Sequence, residues 1–574
     1  MLLLIYVAAL AVSGFIAKSA FDEIPTAASN VQSAIAEGDH ARAQAAAEQV
    51  SERTGAARAA TSHPLWRGAE LVPFFGDDLR AVRLAAAAAD DLAAGAMRPF
   101  ASVDLASIGP VDGVINLDGV RALSAPVADA AVAAERVQID LSEIESSTLL
   151  PPVASAVGKL TDAVGALWPT LARLSELMPH LPTMLGAEGP RNYIVIVQNN
   201  AEARTTGGNP ASLMMLTADQ GRIAISQQAA STDFNNARES EITALDPATV
   251  ALYGDRVGRW IQDATMTPDF NETARIVRAF WQEAHGDPGV GVLSLDPVAL
   301  SYMLKATGPV DMPVGGPLTS DNAVEALLNG VYFKFPGATP VERSAQDGYF
   351  AAAAAGVFQK ITSGSVDIVE LAQAFGRAGA EGRLYFSSTD PIESQAVQGT
   401  TLSNPLPADN EDETALAVFV NDTTEGKLDY YADMEVEATS NVCDAATGEA
   451  PTFTTKATYN YNLQPGDVAS LPIYISTGRY FERGVKATDM VFYGPVGGTY
   501  VSAKVDGVEV QPDVGTMDEG RPAVRIRVEN QPATSHTFEV TFSGAPDQEY
   551  GPLSVVHTPL VKPVPVETSS PRCG

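Results

Sequence analysis

The segment QNNAEARTTGGNPASLMMLTADQGRIAI, residues 198–225, decides the central fold because polar residues in it separate one apolar run from the next. NYIVIVQ (192–198), SLMMLTA (212–218) and RIAISQQ (222–228) have the apolar and β-branched composition of strands. The Asp-Gln-Gly sequence at 219–221 suits a hairpin turn, since its glycine can take a positive φ. The segment therefore predicts one strand followed by a hairpin.

The next two hundred residues alternate between helical and strand patterns. PDFNETARIVRAFWQEA (268–284) and PVALSYMLKATG (297–308) have the spacing of amphipathic helices, and VGVLSLD (290–296) and GRLYFSS (382–388) read as strands. This alternation predicts an α/β domain over residues 187–405.

An acidic break, LPADNEDETA (406–415), precedes a change of pattern. Short strands separated by turn residues predict a β-sandwich over residues 406–574. The predicted strands are 415–421, 429–439, 452–461, 468–475, 488–494, 499–504, 523–529 and 536–543. The tail VKPVPVETSSPRCG is rich in proline and is expected to be extended.

The first residues, Met1–Ala17, are apolar and precede a long acidic chain. We expect a transmembrane or signal anchor over residues 1–20, with either a late gene start or a cleaved signal peptide explaining the lack of a preceding basic residue. Residues 21–186 read as helices and predict a helical stalk or bundle. The expected fold class is thus multidomain α+β. We also expect a single-pass membrane protein, with most of the chain outside the cytoplasm.

Composition excludes some classes of function. The formal net charge of -33 would repel a nucleic acid, so we expect no nucleic-acid partner. Cys443 and Cys573 are the two cysteines, and either form a disulfide that fastens the tail or stay as free thiols. The six histidines are dispersed, and no P-loop, G-x-S-x-G or G-x-G-x-x-G sequence occurs.

The polar residues after the first predicted strand are the most distinctive chemistry in the chain. Amides, a carboxylate and a guanidinium lie where a strand ends, a place where α/β domains often bind ligands. The alternative is that the amides cap the loop, Glu202 pairs with Arg204, and the glycines only shape a turn. The candidate ligand-binding residues are Asn199, Asn200, Glu202, Arg204, Gly207 and Gly208.

The run RNYIVIVQNNAEARTTGGNPASLMMLTADQGRI resembles a pattern that marks the bacterial domain of unknown function 4012. PDFNETARIVRAFW, GVLSLDPVALSYMLKATGPVDMP and LTSDNAVEALLN resemble its following blocks, and HPLWRGAELVPFFGDDLRAVRLAA resembles a segment that commonly precedes it. The resemblance spans roughly residues 60–440. It implies a membrane-anchored protein of the cell envelope, with an actinobacterial origin given the alanine bias, and no particular reaction.

The order of elements is also similar to that of the LytR-CpsA-Psr proteins, which transfer lipid-linked glycopolymers to cell walls. That similarity implies pyrophosphate held by Arg204 and Arg343, and a divalent cation such as Mg²⁺ on Asp233. The sequence departs from the family at Thr232 and near Ala345, where the family has arginines.

Two functions are therefore expected. The first is a non-catalytic binding or assembly factor linked to surface polysaccharide, with envelope glycopolymer or envelope proteins as partners. The second is a phosphotransferase or pyrophosphatase of the LytR-CpsA-Psr kind, so the sequence leaves open whether the protein is an enzyme.

Overall fold

The computed structural model describes residues 39–570 with short gaps, together with scattered residues before 39. The gaps are 104–107, 112, 236–237, 363–365, 404–405, 443–448, 517–519 and 547. Most of Met1–Ala17 and both cysteines lie outside the described residues, so the predicted anchor and the Cys443–Cys573 disulfide stay predictions. The chain forms two compact units: unit 1 is residues 1–190 with 219–222 and 367–369, and unit 2 is the remainder.

Unit 1 is helical. Its helices are α1 (His40–Ser62), α2 (Pro64–Ala69), α3 (Gly76–Leu92), α4 (Arg98–Ala101), α5 (Leu117–Ala122), α6 (Ser124–Ser142), α7 (Pro151–Leu177) and α8 (Leu181–Met184), with a π-helical turn at Ala93–Met97. Alanine forms much of the core, as in the cluster of Ala43, Ala46, Ala47 and Ala93. Small side chains allow helices to pack closely. Among the described residues, no helix has the length and apolar character that crossing a bilayer requires.

Unit 2 begins with a five-stranded sheet in the order β3-β2-β1-β4-β5. The strands are β1 (Arg191–Arg204), β2 (Gly207–Asp219), β3 (Arg222–Ala230), β4 (Gly291–Leu295) and β5 (Tyr385–Ser388). β1 pairs antiparallel with β2 and parallel with β4, and β4 pairs antiparallel with β5. The sheet is therefore mixed, and β1 lies at its centre.

Helices alternate with the strands of this sheet and follow them in the chain. They are α9 (Pro247–Tyr253), α10 (Arg256–Arg259), α11 (Phe270–His285), α12 (Pro297–Thr307), α13 (Ala323–Glu325), α14 (Val331–Lys334), α15 (Pro340–Thr362), α16 (Ile368–Ala380) and α17 (Pro391–Val397). The apolar side of α11 contributes Phe280 and Trp281 to a core with Ile194 and Ile196 of β1. Burial of such side chains is the main stabilising contribution here.

Two further sheets form a sandwich. One has the order β11-β10-β14-β8-β7-β16 and the other β12-β13-β9-β6-β15. The strands are β6 (Thr414–Asp422), β7 (Ala432–Ser440), β8 (Thr452–Tyr461), β9 (Lys486–Tyr493), β10 (Thr499–Val505), β11 (Val508–Glu509), β12 (Asp513–Thr516), β13 (Pro522–Asn530), β14 (Thr534–Ser543), β15 (Leu553–His557) and β16 (Val566–Ser569). Phe492 and Phe538 pack between the sheets.

Two neighbouring strands of the five-stranded sandwich sheet, β6 and β9, are buried on both faces. Every residue of β6 and β9 is buried, whereas β8 alternates between buried and partly exposed positions. The outer face of β6 and β9 places Phe419 and Tyr493 in the same core as α11. The α/β sheet and the sandwich therefore share one core inside unit 2.

The mixed α/β composition with several sheets agrees with the sequence prediction. The predicted strand 468–475 is wrong, because Pro465–Ser470 forms a 3-10 helix and Pro472 follows it. Proline lacks the N–H that a sheet requires, so this segment cannot continue a ladder. The predicted strand 429–439 begins instead at Ala432, after a 3-10 turn at Leu428–Tyr431.

Candidate functional site

The signature segment, residues 198–209, ends β1 and begins β2. The two strands pair through it with shifts of register between Val197 and Gln198 and between Asn199 and Ala203. Each residue of the segment is buried. The Gly208 backbone lies so close to Asn199 that a methyl group at Gly208 would be 2.1 Å from the Asn199 carbonyl oxygen. Gly208 is thus required by the close approach of the two strands.

Arg204 uses all five of its N–H donors within the protein. Nε and Nη2 donate to Oδ1 of Asp263 at 3.2 and 2.9 Å, and Nη2 also donates to Oε1 of Glu202 at 2.9 Å. Nη1 donates to the carbonyl oxygens of Ala203 and Asp422, each at 3.0 Å. This geometry favours the alternative in which Arg204 and Glu202 form a structural pair, since no donor remains for an anion.

Glu202 connects the α/β sheet to the sandwich. Its Oε2 accepts from Nδ2 of Asn209 at 2.6 Å and forms an ion pair with Lys427, which follows β6 in the chain. Burial by itself would raise the pKa of Glu202, but Lys427 and Arg204 together hold that pKa below its ordinary value. Glu202 is therefore ionised, and two cations compensate its charge.

Asn199 and Asn200 also bond within the protein. Nδ2 of Asn199 donates to the Tyr332 hydroxyl at 2.6 Å, and Nδ2 of Asn200 donates to Oδ2 of Asp296 at 2.8 Å and to the Pro559 carbonyl at 2.9 Å. Both amides thus fasten the strand end to neighbouring elements. Gly207 lies in the turn at a φ of 136°, where a side chain would be strained.

A second group of buried charges lies where β1 enters the sandwich. The Ala203 N–H donates to Oδ2 of Asp429 at 3.0 Å, and Ala203 itself packs in the sandwich core. Nζ of Lys486 is 2.9 Å from Oδ1 of Asp429 and 3.7 Å from Oδ2 of Asp422. Burial raises the pKa of Asp422 to about 7, although the charge of Lys486 opposes the shift.

A cavity of about 590 Å³ opens beside these residues. Glu202, Arg204, Asn209, Asp263, Asp422 and Lys427 form part of its wall, with Ser231, Thr232, Gln262, Thr423 and Thr477. Arg256, Trp260, Glu425, Tyr474, Arg479 and Tyr480 complete the lining. Trp260 and Tyr480 expose 41% and 65% of their surface, which is high for aromatic residues.

Asn209, a residue of the cavity wall, has a buried acceptor without a partner. Its side chain is buried and its Nδ2 donates to Glu202, but its Oδ1 has no hydrogen-bond partner within the described part of the chain. A buried polar atom without a partner costs free energy.

Arg343 and Asp233 do not join Arg204. Nη1 of Arg343 donates to the Gly337 carbonyl at 2.9 Å, and Oδ2 of Asp233 accepts from the Ala230 N–H at 2.8 Å. Asp233 lines a separate cavity of about 290 Å³ together with Asp347. The described residues contain no group of three or more His, Cys, Asp or Glu side chains suited to a metal ion. The arrangement that the LytR-CpsA-Psr similarity implies is therefore not assembled.

One family model matches part of the chain. Residues 188–332 match the model of DUF4012, a protein family of unknown function. No curated protein matches the chain. A structure described as a nutrient binding protein from Legionella pneumophila subsp. pneumophila is 9% identical, covers 24% of this chain and 44% of its own, and gives a TM-score of 0.16. So low a score carries no argument about fold or function.

The region that matches DUF4012 contains the residues of only one side of the cavity. Glu202, Arg204 and Trp260 lie inside the matched region, whereas Lys427 and Tyr480 belong to the sandwich. Sequence reasoning missed Trp260, Asp263, Asp422, Lys427, Tyr474 and Tyr480, because no local spacing connects them to residues 198–209.

Proposed function

We propose that this protein is a non-catalytic, extracytoplasmic protein of the cell envelope that binds a neutral glycan in the 590 Å³ cavity. The observation that carries the proposal is that two exposed aromatic residues, Trp260 and Tyr480, line a cavity whose other residues, apart from Tyr474, are charged or polar and not aromatic. Sugar rings have apolar C–H faces and polar edges, so aromatic side chains and hydrogen-bonding groups together suit them.

The charges on the cavity wall favour a neutral ligand. Each described cation on the wall has an acidic neighbour: Arg204 and Arg256 contact Asp263, Lys427 contacts Glu202, and Arg479 contacts Glu425. Arg204, the most buried of these cations, already uses all five of its N–H donors and has none left for a phosphate group. Hydroxyl groups of a glycan can instead donate to the carboxylates of the wall without displacing a charge.

Extracytoplasmic location and membrane attachment belong to the same proposal. The apolar Met1–Ala17 stretch and the net charge of -33 support them. A binding protein held at the membrane surface would meet envelope polysaccharide directly.

Replacing Trp260 or Tyr480 with Ala should weaken glycan binding about tenfold or more, because each ring would lose its contact with the sugar. The measurement is isothermal titration of the purified chain with neutral oligosaccharides of glucose, mannose, galactose and arabinose. Phe333→Ala is the matched control, since Phe333 is an exposed aromatic residue that does not line the cavity.

Thermal unfolding of the same three variants should be unchanged, because all three rings are partly exposed. Equal binding by all three variants would contradict the location of the site. Absence of binding to every oligosaccharide at millimolar concentration would contradict the ligand class.

A further inference from the structure

Unit 1 carries an exposed apolar loop between α2 and α3. The apolar tip, Leu71-Val72-Pro73-Phe74-Phe75, has no buried residue. Leu71 and Phe74 expose 86% and 92% of their surface, and Val72 and Phe75 are also among the exposed large hydrophobic residues. Contiguous exposed apolar side chains of this size mark an interaction surface.

The local backbone holds the tip in this exposed arrangement. The Val72 N–H donates to the Ala69 carbonyl at 3.0 Å, and the Gly76 N–H donates to the Val72 carbonyl at 2.9 Å. Gly76 lies so close to Glu70 that a methyl group there would be 2.1 Å from the Glu70 carbonyl oxygen. Phe74 has a φ of 74°, a conformation that non-glycine residues rarely adopt. The turn thus directs apolar side chains outward at a cost in free energy.

A second observation concerns the base of the tip. Trp66, in the helix that leads into the tip, is buried, and its Nε1 donates to the Leu79 carbonyl at 2.9 Å. A methyl group added at Gly14 would lie 3.9 Å from Cζ3 of Trp66. The helical residues 12–14 belong to the apolar Met1–Ala17 stretch. Gly14, one of the described residues of that stretch, therefore lies beside the base of the tip.

We propose that the apolar tip inserts into the interfacial region of a lipid bilayer, beside the N-terminal stretch. This inference rests on the proposed membrane attachment and adds a second contact to it. Phenylalanine and leucine side chains suit the boundary between headgroups and acyl chains, and the exposed Arg67 can remain at headgroup level. Two contacts would fix the orientation of unit 1 at the membrane, which a single helix cannot do.

The test uses the full chain with Phe74→Trp, reconstituted into phosphatidylcholine vesicles with or without brominated acyl chains. Zwitterionic lipid is chosen because the acidic chain would be repelled by anionic headgroups. The difference from the unsubstituted chain isolates the fluorescence of residue 74. Ile139→Trp is the matched control, because Ile139 is an exposed apolar residue of α6 in the same unit.

Brominated lipid should quench most of the fluorescence of Trp at position 74 and leave that at position 139 unchanged. Equal quenching at both positions, or none at position 74, would overturn the proposal. A blue-shifted but unquenched signal at position 74 would place the tip against a second copy or another segment of the chain instead. If the chain fails to co-sediment with vesicles, membrane attachment itself fails. Co-sedimentation without quenching refutes only the tip.

Discussion

Arg204→Ala is expected to lower the free energy of unfolding of unit 2 by about 3–5 kcal/mol, because it removes the centre of a buried ion-pair network. Five hydrogen bonds would be lost, and the carboxylates of Glu202 and Asp263 would each lose a cation. Arg204→Lys should give an intermediate loss, since one ammonium keeps the charge but cannot reach the same four residues. Equilibrium urea unfolding measures both variants.

Arg343→Ala is the control for this prediction. Arg343 is an exposed arginine that donates one side-chain hydrogen bond to a carbonyl, so its removal should change stability by less than about 0.5 kcal/mol. An Arg204→Ala protein as stable as Arg343→Ala would show that the network around Arg204 contributes nothing to the fold. That result would favour the alternative in which Arg204 is a ligand-binding residue.

Asp422 should make the stability of unit 2 fall as the pH rises. Burial raises the pKa of its carboxyl to about 7 in the folded protein, from 3.8 as the ordinary value. Between these pKa values the folded state holds a proton that the unfolded state has released. Stability from the protonated carboxyl is therefore complete below pH 3.8 and is lost as the pH rises through about 7. The full loss reaches roughly 4 kcal/mol.

Asp422→Asn isolates this contribution, because its amide oxygen can still accept from the N–H of Thr424, which now bonds to Oδ1 of Asp422. We expect the stability advantage of the variant over the natural chain to grow by about 2 kcal/mol between roughly pH 5.5 and pH 8.5. Urea unfolding of both proteins at each pH gives the difference directly, and titrating groups that do not interact with position 422 cancel. A difference that stays constant with pH would mean that Asp422 is ionised throughout.

The local pattern of the sequence was sufficient for much of the secondary structure. The strands at 191–204, 207–219 and 222–230 and the helix at 270–285 follow from hydrophobic spacing and from turn residues, which act over a few positions. The strands 553–557 and 566–569 were not predicted. Each pairs parallel with a strand more than a hundred residues earlier in the chain, so no local turn sequence predicts the pairing.

The candidate site, too, could be predicted from the sequence only in part. The sequence identified residues 198–209 as unusual and offered Glu202–Arg204 pairing as one explanation. It could not reveal that Asp263, Lys427 and Asp429 meet that segment, because those contacts join positions 59 to 226 residues apart. The aromatic residues of the cavity could not be predicted for the same reason, because Trp260 and Tyr480 line one cavity only when the sheet and the sandwich share a core.

Buried charge pairs join the DUF4012-matching strand end to the sandwich, and Glu202–Lys427 is the most direct of them. A double-mutant cycle with Glu202→Gln and Lys427→Met tests this pair by urea unfolding of the two single variants, the double variant and the natural chain. We predict a coupling free energy above about 1 kcal/mol, as expected for a buried pair in contact. A coupling energy indistinguishable from zero would contradict this role of the Glu202–Lys427 pair, because it would show that the two side chains do not hold the sheet and the sandwich together.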